Sequence, residues 1–278
     1  MKIDALYDKG SGRVNEDAFL ISKKRFAVFD GASPLVPYID GEGRTGAMIA
    51  ASLARDAFEH ESMSLLAAAR NANASIRGAM RKVGVDICQK TALWATSAAA
   101  VELHGPEDNP TFADWLQIDD SLIVAIYRDS THDLLAAHED HDQQTLELWQ
   151  KMVREERIEA RGALQSPLMQ AQFLRVRATM NVHYGAIDGE PEMEEFLRHG
   201  RLDLRQVAHL LLFTDGFLLP KKDASSAVDF KLLVKFFLKG GLKAVHEHVR
   251  TLESSDPYCT KYPRVKDHDD IAAIAVTF

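Results

Sequence analysis

Three short apolar segments, far apart in the chain, each end or begin at an aspartate. The segments are residues 26–29, 209–213 and 271–278, and the aspartates are Asp30, Asp215 and the pair Asp269-Asp270. If these strands are neighbours in a sheet, their carboxylates converge. Two carboxylates about 4 Å apart repel by roughly 4 kcal/mol at an effective dielectric constant near 20, so a cation is expected between them. Carboxylate oxygens favour magnesium or manganese over zinc.

Each segment taken alone has a simpler interpretation. Asp30-Gly31 and Asp215-Gly216 are good turn sequences after a strand, and Gly tolerates the backbone angles of a tight turn. The metal hypothesis therefore depends on the coincidence of all three segments.

The composition is typical of a globular protein. The chain has 278 residues, 46% of them hydrophobic and 27% charged, with no internal repeat or linker, so we predict one domain over residues 1–278. A net charge of -8 argues against nucleic acid or an anionic membrane as the main partner. The sequence has two cysteines, Cys88 and Cys259, no apolar leader and no run of 18 apolar residues, which favours the cytoplasm.

The N-terminal third predicts a hairpin followed by two helices. Residues 18–22 and 25–29 are strand-like and separated by Lys23-Lys24, which predicts an antiparallel pair. That pairing places Glu16 and Asp17 beside Asp30. Apolar residues at helical spacing predict one helix from residue 44 and a second over residues 64–82 that stops at Gly84.

The rest of the chain predicts strands followed by helices. Strand-like runs are expected over 91–104, 112–118, 122–127 and 134–137, as an antiparallel meander that turns at Asp119-Asp120-Ser121. Residues 142–161 predict a solvated helix, and residues 162–201 predict helical pieces and an exposed flap. Two further helices are expected over 228–238 and 242–252, on either side of Gly240-Gly241. Strands with helices packed outside them predict an α+β fold.

The order of these landmarks resembles the type 2C (PPM) family of metal-dependent protein phosphatases. The segments that carry the resemblance are Asn15-Glu16-Asp17, Val28-Phe29-Asp30-Gly31, Phe213-Thr214-Asp215-Gly216 and Asp269-Asp270-Ile271. The resemblance implies a four-layer αββα sandwich, in which two antiparallel sheets are flanked by helices and a two-metal site lies at one edge.

The resemblance also implies a set of site residues. Asp30, Asp215 and Asp269 would bind two Mn²⁺ or Mg²⁺ ions, with Asp30 between the ions. Gly31 would contribute its carbonyl oxygen, and Glu16 and Asp17 would bind directly or through water. The remaining assignments are a further, weaker ion at Asp120, phosphate binding by Arg13, and a structural strand at Thr96-Ser97-Ala98.

The implied activity is hydrolysis of phosphoserine and phosphothreonine in proteins, by attack of a water that bridges the two ions. Arginine suits the phosphate site because its planar guanidinium can bind two phosphate oxygens at once. Two other hypotheses stay open: a phosphatase-fold protein with little or no activity that acts as a regulatory binding module, and a small-molecule phosphatase with the same site.

Several positions depart from the family pattern. Ala32-Ser33-Pro34 stand where many relatives have His or Met and then two glycines, so a histidine general acid is absent there. Asp119 stands in place of glycine, Leu122 in place of arginine and Asp270 in place of asparagine.

Histidines elsewhere give weaker signals. His138-Glu139-Asp140-His141-Asp142 has metal-binding residue types, but a solvated turn is the simpler interpretation. His246 and His248 are two apart on a predicted helix and should face different sides.

Overall fold

The computed structural model of the protein describes residues 1–138, 140–154 and 160–278. The strands are β1 (Lys2–Asp8), β2 (Ala18–Ile21), β3 (Arg25–Phe29), β4 (Gly31–Ala32), β5 (Ala95–Thr96), β6 (Ala98–His104), β7 (Phe112–Ile118), β8 (Leu122–Tyr127), β9 (His132–Leu134), β10 (Arg198–Asp203), β11 (Val207–Phe213) and β12 (Ile271–Thr277). The helices are α1 (Gly46–Glu59), α2 (Leu65–Lys82), α3 (Gln143–Arg154), α4 (Ala160–Leu164), α5 (Pro167–Ala178) and α6 (Phe230–Ser254), with short 3₁₀ turns at Lys90–Ala92, Pro191–Phe196 and Asp215–Phe217.

Two five-stranded antiparallel sheets form the centre of the molecule. The first has the order β1-β12-β11-β8-β9 and the second has the order β10-β7-β6-β3-β2, while β4 and β5 form a separate short pair. The inner faces of the two sheets pack against each other, with Val28 and Val101 from the second sheet meeting Leu210 and Ile274 from the first. Apolar side chains on these faces are buried, which is the expected driving force for such a sandwich.

Helices cover the outer face of each sheet. Alanine-rich α1 and α2 pack on the second sheet, where small side chains such as Ala50 and Ala69 allow a close approach. Helix α6 packs on the first sheet through residues such as Phe237 and Val245. The predicted αββα sandwich is therefore confirmed.

Local sequence explains the N-terminal elements well. The β2–β3 hairpin has Ala18 opposite Phe29, as predicted. The hydroxyls of Thr45 and Ser64 cap the N-termini of α1 and α2 by accepting hydrogen bonds from main-chain N–H groups two to three residues into each helix. Helix α2 stops where Gly84 adopts a φ of +78°, a conformation that glycine tolerates.

The predicted meander in the middle of the chain is wrong. Strand β7 lies in the second sheet beside β6 and β10, whereas β8 lies in the first sheet beside β9 and β11. The turn at residues 119–121 therefore crosses from one sheet to the other. Both strands include residues buried on both faces, so their apolar patterns do not distinguish the two sheets.

Other boundaries differ from the predictions in smaller ways. The strand expected over 91–104 is divided into a 3₁₀ turn, β5 and β6, and the strand expected over 134–137 ends at Leu134 instead. Strand β10 was not predicted, because its sequence is polar and it lies at the edge of its sheet.

The helical predictions for the C-terminal half are largely confirmed. Helix α6 is interrupted at Gly240 and Gly241, where the φ values of -159° and +70° are not helical. Of the predicted helix over 142–161, residues 155–159 lie outside the described residues. Helix α3 is less solvated than expected, since Trp149 and Met152 pack with Met169 of α5. No helix in the described ranges is long and apolar enough to cross a membrane.

Candidate metal centre

The predicted carboxylates meet at one end of the sandwich and come from both sheets. Asp30 follows β3 of the second sheet, whereas Asp215 follows β11 and Asp269 precedes β12, which are neighbours in the first sheet. The three strands therefore do not all belong to one sheet. The carboxylates converge because the two sheets face each other at this end.

Burial and mutual repulsion perturb these carboxyl groups. Burial, followed by the charges of Asp17 and Asp215, raises the pKa of Asp30 well above its usual value. Burial and the charge of Asp269 raise the pKa of Asp215 to about 6, although a hydrogen bond with Asp30 partly opposes the shift. The pKa of Asp120 is raised by its burial and by the charge of Asp119. Ionisation of all these carboxyl groups is therefore unfavourable unless a cation compensates their negative charge.

The candidate ligand atoms of this centre are of the type that a hard divalent cation prefers. The candidate side-chain ligands are carboxylates, and the buried Oδ1 of Asp215 has no hydrogen-bond partner. An orphaned carboxylate oxygen at the focus of several others is the arrangement that Mn²⁺ or Mg²⁺ would satisfy.

Asp17 is fixed by contacts to the opposite sheet. Its Oδ2 accepts a hydrogen bond of 2.7 Å from Thr214 Oγ1, and its main-chain oxygen accepts one of 2.8 Å from the hydroxyl of Tyr7. Asp17 is buried, and burial raises its pKa well above the usual value, with further contributions from Asp269 and Asp215. Its side chain therefore points into the carboxylate cluster.

Glu16 is held by two hydroxyl groups. Its Oε1 accepts a hydrogen bond of 2.5 Å from Thr45 Oγ1, and its Oε2 accepts one of 2.6 Å from Ser33 Oγ. These bonds connect Glu16 to the N-cap residue of α1 and to the loop after β4. A water-mediated role at a metal fits Glu16 better than direct coordination, because both carboxylate oxygens already have partners.

Gly31 lies where no side chain can fit. A Cβ at this position would come 2.6 Å from the main-chain oxygen of Glu16 and 2.7 Å from that of Ala47. Next to it, Thr96 Oγ1 donates a hydrogen bond of 2.7 Å to the main-chain oxygen of Asp30, and Ser97 N donates one of 2.9 Å to the same oxygen. The Thr96-Ser97 strand therefore supports the backbone that carries Asp30.

Lys266 was not identified from the sequence, yet it lies within the acidic centre. Its Nζ is 2.5 Å from Asp269 Oδ1. Burial alone would lower the pKa of Lys266, but the carboxylates of Asp269 and Asp30 raise it above its usual value. The only sequence signal for this lysine is its position three residues before Asp269.

Asp270 ties the N-terminal loop to the last strand. Its Oδ1 accepts a hydrogen bond of 2.8 Å from the main-chain N–H of Gly10, and its Oδ2 accepts one of 2.8 Å from that of Glu16. The side chain is buried. Asp270, which stands where asparagine is common in the family, therefore positions the loop that carries Arg13, Glu16 and Asp17.

Arg13 lies at the edge of the centre. It is exposed and lines a cavity of about 510 Å³ together with Glu16, Lys266 and His268. In the described part of the chain, its guanidinium has no ion-pair partner. Arg13 is therefore available to an anion that enters the cavity.

A second group of ligand types surrounds Asp120. Within the described ranges, Asp119, Asp120 and His141 are the three residues whose ligand atoms lie within 4.8 Å of one another. The charges of Asp215 and Asp269 contribute to raising the pKa of Asp30, but the ligand atoms of these three residues do not all lie within 4.8 Å of one another. The prediction of a solvated turn is wrong for His141, because its ring is stacked on Tyr184 at 4.2 Å.

Comparison with known proteins identifies the family. The family model described as protein phosphatase 2C matches residues 8–249. The chain belongs to the protein phosphatase 2C family. This membership confirms the resemblance and the predicted class of metal-dependent protein phosphatase. The match contains Asp30, Asp120 and Asp215 and ends before Asp269. No curated protein sequence gives a significant match.

Solved structures share the fold at low sequence identity. The serine/threonine phosphatase PstP/Ppp of Mycobacterium tuberculosis is 17% identical, with a TM-score of 0.58 over 100% of this chain and 98% of that chain. PppA of Pseudomonas aeruginosa, described as a regulatory component of its T6SS, is also 17% identical, with a TM-score of 0.58 over 100% and 97% of the two chains. The PstP catalytic domain with two manganese ions has 17% identity and a TM-score of 0.56, covering 99% of this chain and 96% of that chain.

Proposed function

We propose that this protein dephosphorylates phosphoserine and phosphothreonine residues of proteins, with two Mn²⁺ or Mg²⁺ ions held by Asp30, Asp215 and Asp269. The observation that carries the proposal is the convergence of these carboxylates from both sheets, with an orphaned oxygen on Asp215. The two manganese ions of the PstP catalytic domain support the same stoichiometry for this member of the family.

The divalent cations would supply the activated water and stabilise the negative charge that develops during displacement at phosphorus. The protein's own groups prepare the site for this chemistry. The carboxyl groups of Asp17 and Glu16 are oriented by hydrogen bonds from the hydroxyls of Thr214 and Thr45. Arg13, which faces the neighbouring cavity, would bind the phosphate oxygens as the substrate enters.

Lys266 adds a positive charge that family membership alone does not predict. Its ammonium contacts Asp269 and lines the cavity that Arg13 also lines. We propose that Lys266 orients Asp269 and reduces the repulsion among the carboxylates. The free thiols of Cys88 and Cys259 fit the reducing cytoplasm as the proposed location, and a role in phosphoprotein signalling follows from the proposed substrates.

Hydrolysis of a phosphothreonine peptide and of p-nitrophenyl phosphate tests the proposal. We expect turnover with Mn²⁺, no turnover after chelation, and a loss of about ten- to a hundredfold or more in Asp215→Asn. Asp108→Asn is the matched control, because Asp108 is an exposed aspartate in the loop between β6 and β7.

Thermal unfolding provides a readout that does not depend on activity. Each Mn²⁺ site should stabilise the wild-type protein by roughly 2.7 kcal/mol when Mn²⁺ is at about 100 times the dissociation constant of that site, and Asp215→Asn should lose the stabilisation that comes from the centre of Asp30, Asp215 and Asp269. A folded wild-type protein that binds Mn²⁺ but hydrolyses neither substrate would contradict the phosphatase proposal and favour a binding module. Turnover of the ester without turnover of the peptide would favour a small-molecule phosphatase.

A further inference from the structure

We infer that Asp119, Asp120 and His141 form an additional metal site of mixed nitrogen and oxygen ligands, which favours a transition-metal dication such as Mn²⁺ over Mg²⁺. The family resemblance implies a weaker ion at Asp120 only. Asp119 and His141 would add a second carboxylate and an imidazole to the ligands of this ion, so the ligand set would no longer consist of oxygen atoms alone.

The turn between β7 and β8 brings the two aspartates to the cluster. Asp119 has a φ of +64°, in the region where glycine is favoured, and its side chain is almost fully shielded, with 10% of its surface exposed. In this conformation its carboxylate faces the interior beside Asp120. Ser121, which follows Asp120, contacts the residue between β5 and β6, since its hydroxyl oxygen lies 2.6 Å from that of Ser97.

His141 supplies the nitrogen ligand from a different segment. Its Nδ1 lies 3.0 Å from Asp119 Oδ1. Nδ1 is nevertheless buried without a partner in hydrogen-bonding geometry. A carboxylate oxygen and an imidazole nitrogen 3.0 Å apart are spaced as two ligands of one ion would be.

Tyr184 fixes the orientation of the imidazole ring. The rings of His141 and Tyr184 are parallel within 6°, with their centroids 4.2 Å apart. This stacking keeps Nδ1 directed at the aspartates, so the ligand set is formed before an ion binds. A preformed site loses less conformational entropy on binding.

The ligand types determine the expected selectivity. Mg²⁺ prefers oxygen ligands and retains its water shell, whereas Mn²⁺, Co²⁺ and Zn²⁺ bind imidazole more readily. Asp120 also lies near Asp215, whose charge contributes to raising the pKa of Asp120. An ion in the mixed site would therefore border the centre proposed for hydrolysis.

Binding measurements on the full chain test the inference, with Mn²⁺ alone and Mg²⁺ alone as probes. Calorimetry should detect three Mn²⁺ ions per wild-type chain. In His141→Asn the third site should weaken at least about tenfold while two sites remain. Asp119→Gly should weaken the third site in the same way, because it removes a carboxylate ligand. Glycine tolerates the backbone conformation at that position, so the variant should keep its fold. His138→Asn is the matched control, since His138 lies in the same loop but outside the group of three.

Pulsed EPR of Mn²⁺ bound to protein labelled with ¹⁵N-histidine provides the direct readout. A ¹⁵N coupling should be present in the wild type, absent in His141→Asn and retained in His138→Asn. No coupling in the wild type, or an unchanged third site in His141→Asn, would overturn the inference. These measurements count ions and ligands, so their result is independent of whether the protein hydrolyses a phosphoester. The two retained sites verify that each variant is folded.

Discussion

Replacing Asp270 with alanine is expected to destabilise the protein and to displace the N-terminal loop. The change removes the acceptor of two main-chain hydrogen bonds, both 2.8 Å long, from Gly10 and Glu16. A hydrogen bond to a charged group contributes about 1.5–3 kcal/mol. Two such bonds correspond to roughly 3–6 kcal/mol, but water reaches part of the loop and the variant relieves repulsion with Asp17. We therefore expect a net loss of about 2–4 kcal/mol.

Asp270→Asn separates the hydrogen bonds from the charge. The asparagine oxygen can still accept one N–H, and the amide removes a negative charge from the acidic centre. Its expected loss is smaller, about 1 kcal/mol or less. Alanine and asparagine should therefore differ clearly at the same position.

Urea unfolding in the presence of EDTA, followed by tryptophan fluorescence, gives these free energies. Activity with Mn²⁺ on the phosphothreonine peptide gives the functional effect, which should appear mainly as a raised KM because the loop carries Arg13. A free energy of unfolding of Asp270→Ala within about 0.5 kcal/mol of the wild-type value, or an equal loss in Asp270→Asn, would show that these two hydrogen bonds do not stabilise the protein.

Three further changes test other features. Burial raises the pKa of Asp188 to about 7, so the stability that its protonated form contributes is complete below about pH 4 and is lost as the pH rises through 7. The free energy of unfolding of Asp188→Asn should therefore exceed that of the wild type by up to about 4 kcal/mol at pH 8, but not at pH 4. Arg25→Leu should lose about 3–5 kcal/mol in urea unfolding, because the buried guanidinium pairs with Glu102 and binds three main-chain carbonyls. Gly216→Ala should reduce the Mn²⁺-dependent thermal shift, since its Cβ would lie 2.0 Å from the main-chain oxygen of Asp270 and would displace the backbone between Asp215 and Asp269.

Each of these predictions has a control. Gly78→Ala should leave the Mn²⁺ shift unchanged, because a Cβ there meets no atom within 4 Å. Arg25→Lys should recover only part of the lost stability, since lysine cannot reproduce the planar set of donors. Equal stability differences between Asp188→Asn and the wild type at pH 4 and pH 8 would contradict the assignment of the pH dependence to Asp188.

The sequence predicted most strands because their apolar runs are local signals. Residues 25–29 and 271–277 form strands as expected, and the β2–β3 hairpin follows from the short turn at Lys23-Lys24. The division of strands between sheets could not be predicted in this way. An apolar run such as Leu122–Tyr127 is compatible with either sheet, and its partners are set by packing with distant segments.

The residues of the candidate site likewise divide into those marked by a local sequence signal and those placed by packing between distant segments. Asp30 and Asp215 could be predicted because each lies within two residues of the end of an apolar strand. Lys266 and His141 lie in irregular segments, so their approach to the carboxylates depends on the course of the backbone around them. No local motif predicts the contact between Asp119 and His141, which are 3.0 Å apart.

The position of β12 has a consequence for how the protein is made. This strand lies between β1 and β11, and Lys2 is paired with Thr277, so β1 takes its place in the sheet only when β12, which follows all the other strands described here, is available. Asp30 and Asp215 leave the ribosome well before Asp269 and Asp270. The growing chain can therefore form the β2–β3 hairpin early, but its carboxylate centre is completed only when synthesis has passed β12. The carboxylate centre therefore cannot assemble on a chain that lacks the residues from Asp269 onward.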